Sequence, residues 1–232
     1  MTLEIQKEIR KLVNPEKAKI LAGFFKTGKG QYGEGDKFLG ITVPQTRAVV
    51  KKYWQLSLAE VQELLKSTFH EERLAALLIL VEQYQKGDEK QKKKIFQAYL
   101  KNTQWINNWD LVDLTADRIV GAYLADKPKD LLFKLAQSKL LWERRIAMLA
   151  TFHEIKNGRS EIALAIAEKL LGDQEDLMHK AVGWMLREVG KRCSQKEEEK
   201  FLQKYIKVMP RTMLRYAIER FEEGKRLRYL KM

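Results

Sequence analysis

Arg145-Ile146-Ala147-Met148 has near-copies along the chain at Arg73-Leu74-Ala75-Ala76, Lys180-Ala181-Val182-Gly183 and Arg215-Tyr216-Ala217-Ile218. Each begins with a cation followed by small or apolar residues. Trp109 stands where the missing member of the series falls, so successive members start 36, 36, 35 and 35 residues apart. Each interval has room for two helices and a turn. A period of this size, with a helix pair per unit, points to an α-solenoid of HEAT-like repeats, in which stacked pairs bury one continuous core. The expected fold is therefore all-α: a single domain over residues 1–232, with equivalent helices lining a concave basic groove.

Helical periodicity runs outward from these copies and no alternating strand pattern competes with it. Helices are expected near residues 14–26, 43–54, 57–66, 70–86, 88–102, 107–125, 129–137, 139–156, 160–171, 176–192, 195–208 and 211–223. Breaks fall at Gly87-Asp88, Lys127-Pro128, Asn157-Gly158-Arg159-Ser160, Gly172-Asp173 and Met209-Pro210, all suited to turns. Short connections make successive helices antiparallel neighbours. The glycine-rich residues 28–35 lack the strand and the Gly-Lys-Ser/Thr ending of a phosphate loop and read as a connector.

Composition narrows the function classes. The 232 residues include 44 Lys and Arg against 31 acids, a net charge of +13. Such a field attracts polyanions, although a lysine-rich solubilising surface gives the same total. The single Cys193 excludes an internal disulfide and fits a reducing compartment. The start Met1-Thr2-Leu3-Glu4 is unlike a signal peptide, and no uncharged run approaches the roughly 18 residues of a membrane span. The expectation is a soluble cytoplasmic protein, nucleoid-associated in a bacterium, with no membrane partner. His70, His153 and His179 are scattered, so no metal site and no cofactor is expected.

The repeat register gathers the chemistry. Its members are Arg73, Trp109, Arg145, Lys180 and Arg215, and one turn further on stand Asp113 and Trp184. Trp109 and Asp113, four apart, share a helix face. Lys180, Trp184, Arg187 and Lys191 form a stripe at spacings of four, three and four, suited to a phosphate backbone with stacking contacts. If the repeats stack, Trp109, Asp113, Arg145 and Trp184 project from neighbouring helices into one groove. Asp113 is then the candidate catalytic carboxylate, although a salt bridge to the next repeat accounts for it equally simply. Tryptophans at helical spacing also commonly fill cores. Of the adjacent Arg144 and Arg145, about 100° apart on a helix, one faces the groove.

Together these residues resemble the HEAT-like-repeat alkylpurine DNA glycosylases, the AlkD-type DNA alkylation repair enzymes. The resemblance rests on Phe38-Leu39-Gly40-Ile41-Thr42-Val43-Pro44 with Arg47, on Trp109-Asp110-Leu111-Val112-Asp113 and on Trp142-Glu143-Arg144-Arg145. Lys180-Ala181-Val182-Gly183-Trp184-Met185-Leu186-Arg187-Glu188 extends it over most of the chain. It implies hydrolysis of the N-glycosidic bond of cationic N3- or N7-alkylated purines in duplex DNA. It also implies Asp113 as the catalytic aspartate, Trp109 and Trp184 flanking the damaged nucleotide, Arg145 in the same cleft and Arg187 on DNA. An aromatic residue, Phe24 or Phe25, is expected just before the glycine-rich stretch. Lys180, Lys191, Arg73 and Arg215 complete the expected phosphate contacts, in a monomer with no obligate protein partner. Two other readings fit the same residues: a non-catalytic scaffold for distorted or branched DNA, and a HEAT-like protein-interaction module.

Overall fold

A computed structural model describes residues 3–232; Met1 and Thr2, read above against a signal peptide, lie outside the described residues. Among these residues the fold is all-α, and β pairing is confined to an isolated parallel bridge between Lys37 and Phe69. The chain divides into two compact units, Met1–Thr115 and Ala116–Met232.

The helix His70–Lys86 organises the first unit. From Leu74 to Val81 every side chain is buried, so the helix is apolar on all faces and must be covered on all sides. Val43–Tyr53, Leu58–Leu65, Glu89–Lys101 and Trp109–Asp113 cover it. Local chemistry fixes where these helices begin. Ser57 accepts from Glu60 N while the Glu60 carboxylate accepts from Ser57 N, a reciprocal cap, and Asp88 accepts from Gln91 N.

The first turn of His70–Lys86 carries Glu71, Glu72 and Arg73, all buried. The Glu71 carboxylate accepts the backbone N–H groups of Leu39 at 2.9 Å, Gly40 at 2.8 Å and Ile41 at 3.1 Å. That turn requires glycine at position 40, where φ is +82° and a Cβ would lie 2.0 Å from the Asn14 carbonyl oxygen. Glu72 accepts from Gln6 Nε2, Arg10 Nε and Ser67 Oγ, which ties the helix Glu4–Arg10 to the core. Residues 28–35, read as a connector, close into tight turns, with Gly33 N donating to Lys26 O and Gly30 N to Glu34 Oε2.

In the second unit the helices one repeat apart lie side by side. Leu141–Ala150 packs on Asp130–Ala136 and on Asp176–Arg192, which packs in turn on Gln195–Tyr205 and Arg211–Ala217. Gly183 permits the last of these approaches: a Cβ there would lie 2.4 Å from Met213 O and 2.5 Å from Tyr216 Cβ. Gly183→Ala is therefore expected to destabilise the protein by about 1–3 kcal/mol, because overpacking outweighs the roughly 1 kcal/mol of helix propensity gained. Thermal denaturation checks this, and an unchanged or higher midpoint would mean that the two helices have room to separate.

Helix boundaries follow expectation closely for 70–86 and 176–192, observed as His70–Lys86 and Asp176–Arg192. The expected continuous helix over 107–125 is interrupted. Trp109–Asp113 ends at a turn where the Thr115 hydroxyl donates to Leu111 O, a back-bond that competes with helix propagation. The chain then continues as a π-helical stretch, Asp117–Gly121. Likewise 139–156 divides at Thr151, whose hydroxyl donates to Met148 O at 2.7 Å.

Candidate nucleic-acid interface and active site

Trp109 and Asp113 lie at the two ends of the five-residue helix Trp109–Asp113, and both are half-buried. Asn108 starts the helix, its side-chain oxygen accepting from Trp109 N at 2.9 Å. One face of Trp109 stacks on Phe25, centroid to centroid 5.1 Å with planes 16° apart. Phe25 in turn stacks on Phe38 at 4.9 Å, and Phe38 on the His70 ring at 4.6 Å. Phe24 meets Trp109 edge-on at 5.9 Å and is 62% exposed. A large aromatic side chain held in water beside a half-exposed tryptophan offers a contact surface for a flat ligand.

Beneath this stack lies a buried cluster of charges. His70 places Nε2 2.9 Å from Asp110 Oδ2 and Nδ1 3.3 Å from Asp36 Oδ2. Asp36 also accepts from Arg73 Nη2 at 2.5 Å, Asn107 Nδ2 at 3.3 Å and Asn108 Nδ2 at 3.1 Å. Burial alone would push the His70 pKa down, but the Asp110 and Asp36 carboxylates raise it to about 9, so the ring is an imidazolium at neutral pH. Burial opposes the charge on Asp36, yet the hydrogen bond from His70, the Arg73 guanidinium and the Asn108 amide hold its carboxyl below the ordinary value. Two cations thus balance two anions in a site closed to water.

Arg73 is a correction to the sequence reading. It was expected on a phosphate-binding wall, but it is 3% exposed and its guanidinium binds Asp36 and the Ser67 carbonyl. A side chain so placed cannot reach a phosphate. The cation there completes a core cluster instead.

In the second unit, Arg145 is 4% exposed and donates to Leu177 O at 2.6 Å, while its neighbour Arg144 forks onto Asp173. Trp184 is half-buried against Phe152, at 5.9 Å. The Phe152 ring also carries Lys156 Nζ at 4.3 Å and the Arg192 guanidinium at 5.4 Å. Along Asp176–Arg192, Lys180 pairs with Asp176 at 2.7 Å and Arg187 with Glu219, while Lys191 is exposed. Arg215 is exposed as well. Arg187, Lys191, Gln195, Glu198, Arg220 and Phe221 line a cavity of about 300 Å³. Burial pushes the Glu198 carboxyl there up to about 8. Among the described residues, no group of His, Cys, Asp and Glu is placed to hold a metal ion.

The sequence profile of the DNA alkylation repair enzymes matches residues 5–221, nearly the whole chain. The chain belongs to the DNA alkylation repair enzyme family. A solved structure described as a predicted DNA alkylation repair enzyme from Enterococcus faecalis has the same fold. It aligns with a TM-score of 0.70 over 91% of this chain and 97% of that one, at 17% identity. No curated protein matches the chain significantly. Membership of the family gives the protein a role in DNA repair and DNA as its partner.

For a DNA alkylation repair enzyme, the structure adds residues that the sequence reading left open or missed. Phe24 and Phe25 were interchangeable in sequence, whereas in the fold Phe25 is buried under Trp109 and Phe24 is exposed beside it. His70, Asp36 and Asp110 were not singled out. Asp36 lies in a loop, where no periodicity applies, and the polarity of His70 and Asp110 on their helices does not by itself tell burial from exposure. No helix among the described residues is long and apolar enough to cross a membrane.

Proposed function

We propose that the protein is an alkylpurine DNA glycosylase that hydrolyses the N-glycosidic bond of cationic N3- or N7-alkylated purines in duplex DNA. The observation that carries this reading is the Trp109–Asp113 helix: a carboxylate and a tryptophan on one face, with the exposed Phe24 edge-on to the tryptophan. An alkylated purine already bears positive charge and leaves without a general acid. What the reaction lacks is stabilisation of the oxocarbenium-like sugar and a positioned water, and Asp113 supplies both. Trp109, Phe24 and Trp184 present aromatic faces, whose quadrupoles favour a cationic nucleotide over a neutral one. Arg145 is the supporting cation of this reading, while Lys180, Arg187, Lys191 and Arg215 hold phosphates. In this reading the chain is built of HEAT-like repeats and acts as a monomer in the cytoplasm or on the nucleoid.

Single-turnover release of 7-methylguanine from methylated duplex DNA tests the proposal, and release no faster than the spontaneous rate would defeat it. Binding should also weaken steeply with salt. Replacing Lys191 and Arg215 together by Ala is expected to flatten the plot of log affinity against log salt concentration by about 2, near 0.9 for each phosphate no longer neutralised. An unchanged slope would remove both residues from the interface.

A further inference from the structure

Trp109–Asp113 is a helix of five residues, about 7.5 Å long at 1.5 Å per residue. A helix this short has no stability of its own in water, so the direction in which it points is set by tertiary contacts. Its N-terminal anchors lead back to one place. Asp110 Oδ2 binds His70 Nε2. Asn108, the cap, gives its Nδ2 to Asp36 Oδ2, the oxygen that His70 Nδ1 also reaches. Asn107 gives its Nδ2 to the other oxygen of Asp36. The Trp109 ring lies on Phe25, which touches the His70 ring at 5.0 Å. His70 is fixed from its own side too, its backbone N–H donating to Lys37 O at 2.8 Å beside Asp36.

We infer that His70, clamped between Asp36 and Asp110, is a positioning residue that sets the direction of the Trp109–Asp113 helix and so the placement of Trp109 and Asp113 on DNA. This rests on the glycosylase reading for its effect on rate, but not for its effect on structure. His70 is 2% exposed and touches no substrate; it acts through Asp110 and through the aromatic stack. A polar clamp suits the task better than an apolar one, because two directed hydrogen bonds fix rotation as well as distance. The neighbouring Arg73 balances the second carboxylate, so the clamp carries no net charge into the core. A misplacement of about 1 Å in a reacting group is enough to cost on the order of 100-fold in rate.

Asp110→Asn keeps the shape of the side chain and weakens the clamp. Its single-turnover excision rate is expected to fall about tenfold while duplex affinity stays within about twofold. Leu64→Ala, a cavity in the same unit away from the clamp, serves as the stability control. It should lower the melting temperature at least as much yet leave the rate near wild type well below the transition. The double variant His70→Gln/Asp110→Asn should be no slower than the worse single variant, since both act through one contact. Losses that multiply, or an Asp110→Asn rate equal to wild type, would overturn the inference. Should the wild type release no alkylpurine, the glycosylase reading fails by itself, and the Trp109 indole N–H resonance, assigned with Trp109→Phe, decides the positioning role. In Asp36→Asn, linked to Trp109 through Asn108, that resonance should shift or broaden; an unmoved one would reject the clamp.

Discussion

Asp113→Asn is expected to lower single-turnover excision of 7-methylguanine by about 10²–10³-fold while leaving duplex affinity within about twofold. The substitution keeps size and shape and removes charge. In the proposed reaction the ground state carries its positive charge on the purine, and in the transition state that charge moves to the sugar. A carboxylate at the sugar therefore interacts more strongly with the transition state than with the bound substrate, the condition for raising a rate and not merely an affinity. The amide introduced by the substitution still orients water by hydrogen bonding, which is why some excision should remain. The amide fits the same half-exposed position on the helix surface. A variant as fast as wild type would return Asp113 to a structural ion pair and leave the chemistry to another group.

Glu71→Ala is expected to destabilise the first unit by about 3–5 kcal/mol, which lowers its melting temperature by about 10 °C at roughly 2–4 °C per kcal/mol. Glu71 is 1% exposed and accepts three consecutive backbone N–H groups, those of Leu39, Gly40 and Ile41. Removing the carboxylate strands all three in a site that the chain cannot refill. The turn is packed with Gly40 against the Asn14 backbone, which holds it where Glu71 put it. Glu71→Gln keeps one acceptor but turns an amide donor toward donors, and should lose about half as much. Circular dichroism melts separate these outcomes. A Glu71→Ala protein that melts with the wild type would mean that water replaces the carboxylate without loss.

The sequence makes the helices legible where burial and periodicity agree. His70–Lys86 is apolar on every face through its middle, and both of its ends follow from the chain alone. Periodicity fails where a polar side chain acts on the backbone. Thr115 and Thr151 look like ordinary helix residues, but their hydroxyls bond to carbonyls of the preceding turn and divide helices read as continuous. It fails again at Glu71, Glu72 and Arg73. Charged residues in a first turn read as solvent-facing, and only the three-dimensional partners, far away in sequence, show that they are buried. For the same reason the register that placed Trp109 and Arg145 on equivalent helices put Arg73 among the DNA contacts. Equivalent backbone positions need not face equivalent surroundings. The spacing of four put Trp109 and Asp113 on one face of a helix, and Trp109–Asp113 is helical, but the clamp behind it belongs to contacts between residues up to 72 apart, which no local pattern encodes.

That separation has a consequence for how the protein is made. The clamp joins Asp36, His70 and Asp110, and each link closes a loop of tens of residues. A nascent chain that has not yet released Asn107, Asn108 and Asp110 from the ribosome holds His70 with half of its acceptors and Asp36 without its two amide donors. The helices of the first unit can form early from local contacts, but its charged centre can close only when the last stretch of that unit has emerged. Until then the charges stay hydrated, and the core of the first unit stays open.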